Sequence, residues 1–240
     1  MTKLYHGTNG RWLDNIMKNG IEPRGSRRAR DNWKHVAHRS NPKCVYLTDS
    51  YAPYFAFNAS RGSDPQCAVV EVDADLLDPA CLFPDEDFLE QASRHVPDPV
   101  QGTMSQRTLH YRARQFEYDG QCRSSSGEET AWWQASLKHL GTCCHRGVIP
   151  ASAITRAVVW PHEPNINMMY VWDPTISVIN QKVCGDRYRA LTAKLMAGDF
   201  TDQKLITAEQ QMQSFSDPAA AQLPVIDGWQ LVLPSKISCG

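Results

Sequence analysis

Four places in the chain carry side chains whose types and spacing could do chemistry. Tyr5-His6-Gly7-Thr8 sets an imidazole beside a glycine; on its own this reads as the end of a strand running into a turn. Tyr46, Tyr51 and Tyr54 cluster within nine positions of one another, and a tyrosine in such a segment is ordinarily a core residue. Arg24, Arg27, Arg28, Arg30, Lys34 and Arg39 crowd a short polar stretch that also holds Trp33, His35 and His38. That mixture can hold a diphosphate or a nucleic-acid backbone, although most charge runs are simply solvated. Glu128 and Glu129 stand just ahead of Trp132 and Trp133. A carboxylate pair there complements the dipole of a following helix, and a positioned carboxylate can also act as a general base.

The elements that must position these groups follow from periodicity. Leu4-Tyr5-His6 predicts a short strand, with Thr8-Asn9-Gly10 as its turn. Trp12, Leu13, Ile16, Met17 and Ile21 recur at helical spacing, and Gly20 stops that helix. Cys44-Val45-Tyr46-Leu47-Thr48 is β-branched and aromatic and predicts a buried strand. Asp49-Ser50 then serves as the cap of a helix over 51–60, with Pro53 tolerated in its first turn. Residues 67–77 predict another strand, Val70 and Val72 alternating with Glu71 and Asp73. From 84 to 127 the sequence is polar and predicts long loops around one helix, 108–118. A helix over 130–141 and two strands over 142–160, broken at Pro150, come next, and a mixed section of helices and strand follows, ending in 225–234. Strands interleaved with short helices and long loops make an α+β protein. No clean linker appears, so residues 1–164 are expected to form the core and 165–240 an extension packed on it.

Composition narrows the function classes. Twenty-five Lys and Arg against 26 Asp and Glu leave a net charge of -1, so no global field recruits nucleic acid or an anionic membrane, and such a partner must meet a local patch. No apolar run reaches the roughly 20 residues needed to span a bilayer, and the first residues lack the apolar stretch of a secretory signal. Eight cysteines are scattered without a CxxC pair, which suits free buried thiols in a reducing compartment better than disulfides or a zinc site. No metal site is expected, and a cytoplasmic location is.

Three segments appear in a telling order: YHGT followed by a helix ending in Gly20-Ile21 and Pro23; VYLTDSYAPYFA, a strand turning into a tyrosine-bearing helix; and GVIPASAITRAVVW, a strand, a proline-marked turn and a strand. This order resembles the ADP-ribosyltransferase family, in the His-Tyr-Glu branch of poly-ADP-ribose polymerases, diphtheria-toxin-like enzymes and bacterial or phage toxins that modify nucleic acid. The resemblance covers residues 3–160, weakly in the middle third. It implies a split antiparallel β-sheet core with flanking helices and a C-terminal α/β elaboration.

The resemblance also implies NAD+ as co-substrate and assigns roles. His6 would hydrogen-bond a ribose hydroxyl and the Gly7 main chain would hold the nicotinamide carboxamide, glycine letting the ligand come close. Thr8 and Arg24 would complete the cofactor contacts. Tyr46 would line the nicotinamide pocket, with Tyr54 or Tyr51 stacked on the ring. Such a site orients NAD+ and stabilises an oxocarbenium-like state. The family's catalytic glutamate opens the strand before the proline turn, where this chain has Gly141-Thr142. Either Glu129 reaches in from upstream, or Thr142 stands in for it. A missing glutamate argues for mono-ADP-ribosylation over polymer synthesis.

For the acceptor, the basic stretch with Arg27, Arg28, Arg30, Trp33 and Lys34 implies nucleic acid, DNA or RNA, by analogy with toxins whose substrate-facing element lies between the two NAD motifs. The role of a toxin or anti-phage effector, with an antitoxin protein as partner and no membrane, belongs to the same resemblance. The rival readings are a protein-targeting ADP-ribosyltransferase, an RNA 2′-phosphotransferase, against which Tyr46 stands where a histidine is expected, and an inactive module that binds NAD+ or ADP-ribose.

Overall fold

The computed structural model describes residues 2–27, 40–60, 66–91, 100–123, 127–161, 185–186, 188–190, 192–193, 196–197 and 230–232. In chain order the strands are β1 (Lys3–Asn9), β2 (Cys44–Thr48), β3 (Gln66–Asp73), β4 (Leu82–Pro84), β5 (Gln121–Arg123), β6 (Glu129–Ala131), β7 (Thr142–Arg146), β8 (Ile154–Pro161) and β9 (Gln230–Val232). The helices are α1 (Leu13–Asn19), α2 (Ala52–Ala59), α3 (Glu86–Gln91), α4 (Met104–Arg114) and α5 (Trp132–Leu140). All the strand pairings recorded are antiparallel, and the fold is a mixture of helices and antiparallel sheet. No helix among the described residues is long and apolar enough to cross a membrane. The expected boundary at 164/165 lies outside the described residues, as do the elements expected over 168–184 and 198–229.

The chain divides into two interleaved compact units. The first combines Met1–Gly20, Asp49–Ala74 and Ala151–Gly240. In it β1 pairs with β3 from Lys3↔Asp73 to Asn9↔Cys67, β3 pairs with β8, and β8 with β9. The core lies under α2: Ala52, Ala56 and Phe57 pack with Cys67 and Val69 of β3, Val158 and Trp160 of β8, and Tyr188 and Met196. Strand β1 runs three residues past its expected end at His6. Thr8 and Asn9 pair with Ala68 and Cys67, and the Asn9 side chain accepts from Arg11 N at 2.9 Å, so the turn starts only at Gly10. Helix α1 stops at Gly20 as expected; φ is 87° there, and its N–H closes the last turn onto Ile16 O at 2.8 Å.

One expectation for this unit is corrected. Helix α2 begins at Ala52 without a side-chain cap, because the Asp49 carboxylate is held by Arg189 (Nε–Oδ2 3.2 Å) and Ser50 donates to Asp49. Glu71 and Asp73, which alternate with the valines of β3, do not face water. Both are buried, since Arg156 reaches Glu71 through Nε and Nη2 at 3.1 and 2.9 Å, Thr155 donates to it at 2.6 Å, and Lys3 serves Asp73 at 3.3 Å. Paired charges can be interred where lone ones cannot.

The second unit combines Ile21–Thr48 and Asp75–Pro150. Strand β7 is flanked by β2, from Cys44↔Arg146 to Thr48↔Thr142, and by β4, from Leu82↔His145 to Pro84↔Cys143. Strands β5 and β6 form a separate ribbon, and Ile21 bridges Ile149. The stretch from Pro84 is no polar loop: β4 and α3 occupy it, because Leu82, Phe83, Phe88 and Leu89 are all buried. Helix α4 starts at Met104, four residues ahead of expectation. Thr103 and Gln106 form a reciprocal capping box, Gln106 Oε1 accepting from Thr103 N at 2.8 Å. Glu129 belongs to β6, and α5 begins at Trp132.

Candidate functional site

Strand β2 puts Tyr46 among Cys44, Phe83 and Cys144, with Phe116 at the edge of the same cluster. Its register partner is Cys144, so the phenol lies over β7 and reaches the start of α3. There its hydroxyl donates to Glu86 Oε2 at 2.5 Å and accepts from Asn41 N at 2.8 Å. Gln115, fully buried after α4, holds the other side. Its amide donates to Pro84 O at 2.7 Å and to Glu86 Oε2 at 3.0 Å, while its carbonyl accepts from Asn41 Nδ2 at 3.0 Å. The thiols of Cys44 and Cys144 meet at 3.2 Å beside it.

Burial sets the electrostatics. It pushes Glu86 up to about 8, with the Asp85 charge adding to the shift and the Tyr46 hydroxyl opposing it. Tyr46 is pushed well above its ordinary value by burial and then by Glu86, and Cys144 likewise by burial. Asp85 and Asp87 are also raised, again by burial first. At neutral pH the Glu86 carboxyl is therefore mostly protonated, and the buried thiol is no nucleophile. The arrangement fixes the tyrosine ring and holds a proton away from water. Sequence reasoning missed Asp85, Glu86 and Gln115. The signal was an aspartate capping a turn of acids with Phe88-Leu89 behind it: Asp85 Oδ1 accepts from Asp87 N at 3.0 Å.

In the first unit, β1 places His6 opposite Val70 and Gly7 opposite Val69. Gly7 lies against the first turns of α2; a Cβ there would stand 2.2 Å from Ala52 O and 2.5 Å from Ala56 N. Tyr5 packs against the same cluster, so strand alternation sends the His6 imidazole, half-buried, to the other face of the sheet. Thr8 is buried. Of the two tyrosines offered for stacking, Tyr51 belongs to the core, 2% exposed and 5.2 Å from the Tyr188 ring. Tyr54 is half-buried and meets Phe55 edge-on at 5.3 Å.

The remaining expected residues are spread through the second unit. Arg24 opens a 3-10 turn and donates to Ser40 O at 2.7 Å; Arg27 closes that turn. Arg28, Arg30, Trp33 and Lys34 lie outside the described residues. Glu129 is exposed on β6 and paired with Arg123 at 2.7 Å. Thr142 opens β7 but is buried; its hydroxyl makes no well-aligned hydrogen bond and faces the Asp85 carboxyl, whose charged form it favours. Among the described residues no cluster of His, Cys, Asp and Glu is arranged to hold a metal ion. No protein-family model matches the chain, and no curated protein matches it in sequence.

Proposed function

We propose that the protein transfers one ADP-ribose unit from NAD+ to a macromolecular acceptor, in the manner of the His-Tyr-Glu ADP-ribosyltransferases whose motif order it resembles, and that nucleic acid is the acceptor. The observation that carries the reading is the close approach of Gly7 to α2. It brings the His-Gly strand and the tyrosine helix, two motifs more than 40 residues apart in sequence, into one packed unit. In this reading the first unit meets the cofactor: His6 hydrogen-bonds a ribose hydroxyl of NAD+, and Tyr54 is the candidate for stacking on the nicotinamide. A cytoplasmic toxin or effector role goes with it.

A second reading, a module that binds NAD+ or ADP-ribose without transfer, is favoured by one feature. The residue at the head of β7 is the buried Thr142, and Glu129 already has Arg123 as a surface partner. Mass spectrometry after incubation with NAD+ and single-stranded DNA, RNA or protein separates the two. A gain of one ADP-ribose on nucleic acid is the expected result. Saturable NAD+ binding with no mass gain selects the module. Loss of a terminal phosphate from RNA, or no NAD+ binding at all, overturns both.

A further inference from the structure

Three segments of the second unit close around one open groove of about 540 Å³, lined by Pro23, Gly25, Pro42, Lys43, Arg146 and Gly147. Its walls are tied together by main chain. Gly25 N donates to Pro42 O at 2.8 Å and Gly147 N to Lys43 O at 3.0 Å. The approach of the first two walls leaves no room for a side chain, since a Cβ on Gly25 would lie 2.5 Å from Pro42 O. These amides are therefore spent within the protein, and the charged groups left on the lining are two cations, Lys43 and Arg146, both exposed. Among the described residues neither is in an ion pair, and no carboxylate lines the groove. Arg146 is held in place: its guanidinium lies 4.7 Å over the Phe116 ring, which packs edge-on against Phe83. A guanidinium stacked by its face keeps its in-plane N–H donors for a ligand.

We propose that this groove binds the sugar-phosphate backbone of a single-stranded nucleic acid. Lys43 and Arg146 would contact phosphates, and Pro23 and Pro42 would offer apolar walls to the sugars. The chain as a whole carries a net charge of -1, so two cations without a carboxylate are a local feature on a neutral background. A small anion is selected by burying it, and this groove is open; a strand, by contrast, can lie along an open groove and gain from successive phosphates. In sequence, residues 28–39, which join two of the walls, carry four Lys or Arg against one Asp; they stand outside the site proposed. Only the acceptor role of the bound strand rests on the transferase reading. Binding itself does not.

The test is fluorescence anisotropy with labelled DNA and RNA single strands of about 12 nucleotides, without NAD+, between about 50 and 200 mM salt. The Lys43→Gln, Arg146→Gln double variant should lose affinity roughly 25-fold at 0.1 M salt, and its log K against log salt slope should be shallower by about 1.4, at 0.7 per phosphate contact. Arg146→Lys should keep most of the slope. Lys138→Gln, an exposed lysine on α5, should match the wild type. Unchanged affinity and slope in a double variant with wild-type melting overturns the proposal, as does an equal loss in Lys138→Gln. So does competition by inorganic phosphate as effective, per phosphate, as the oligonucleotide, or equal and equally variant-sensitive binding of an acidic peptide. Failed transfer with intact strand binding sinks only the transferase reading; intact transfer to nucleic acid by the double variant with no change in binding sinks the groove.

Discussion

The Tyr46 hydroxyl donates to Glu86 Oε2 across 2.5 Å, joining the middle of β2 to the first residue of α3 forty positions later. Neither group could be buried alone. Together with Gln115 and Asn41 they form a closed polar network inside a thiol-lined and aromatic-lined core.

That network makes stability fall as pH rises. The Glu86 pKa is raised from 4.5 to about 8 in the folded state, so between those values the folded protein binds more protons than the unfolded chain. Its contribution is present below the unfolded value and lost as pH climbs through the folded one. Asp85 and Asp87, also raised, act in the same direction. Urea midpoints of the wild type should drop between about pH 5 and 8 by the equivalent of a few kcal/mol, and Glu86→Gln should flatten much of that slope. Tyr46→Phe, which leaves Asn41 N and Glu86 short of a partner, should cost about 1–3 kcal/mol at pH 7.

Gly7→Ala should be among the most damaging small substitutions in the first unit. The added methyl would meet main chain of α2 at 2.2 Å, and neither partner can rotate away. A loss of about 3 kcal/mol or more is expected in chemical unfolding. Gly120→Ala, where a Cβ meets nothing within 4 Å, serves as the comparison and should stay within about 0.5 kcal/mol of the wild type.

Tyr51 and Tyr54 should separate cleanly. Tyr51→Ala empties a core position against Tyr188 and should destabilise by about 3–5 kcal/mol. Tyr54→Ala, which trims a half-buried ring packed on the edge of that core, should cost less stability than Tyr51→Ala and weaken NAD+ binding about 2- to 10-fold, the worth of one stacking contact. Calorimetry with NAD+ decides this. Equal affinity in Tyr54→Ala would remove the tyrosine from the cofactor site.

The third catalytic position has two candidates of opposite exposure. Glu129 is open to solvent beside Arg123, whereas Thr142 is buried. Only an exposed side chain can touch substrate, so Glu129→Gln should lower single-turnover transfer by roughly 10²–10⁴ with NAD+ affinity little changed. Thr142→Val should leave the transfer rate near that of the wild type. The reverse outcome would assign the role to the threonine and require β7 to open.

What the sequence determined by itself was local. Cys44–Thr48 is a strand over the residues expected, because five β-branched, aromatic and apolar side chains in a row suit a pleated buried segment wherever it packs. Gly20 ends α1 because only a residue without a Cβ takes φ of 87° at no cost. What tertiary structure alone decided was the fate of charge. Glu71 and Glu86 are both buried; the arginine that neutralises Glu71 is 85 positions away, and the glutamine that completes the Glu86 network is 29 away. No local period encodes a partner at that distance. Tyr51 and Tyr54 looked interchangeable for the same reason: the ring that covers Tyr51, Tyr188, comes from a segment 137 positions later, and only packing could tell the core tyrosine from the half-buried one at its edge.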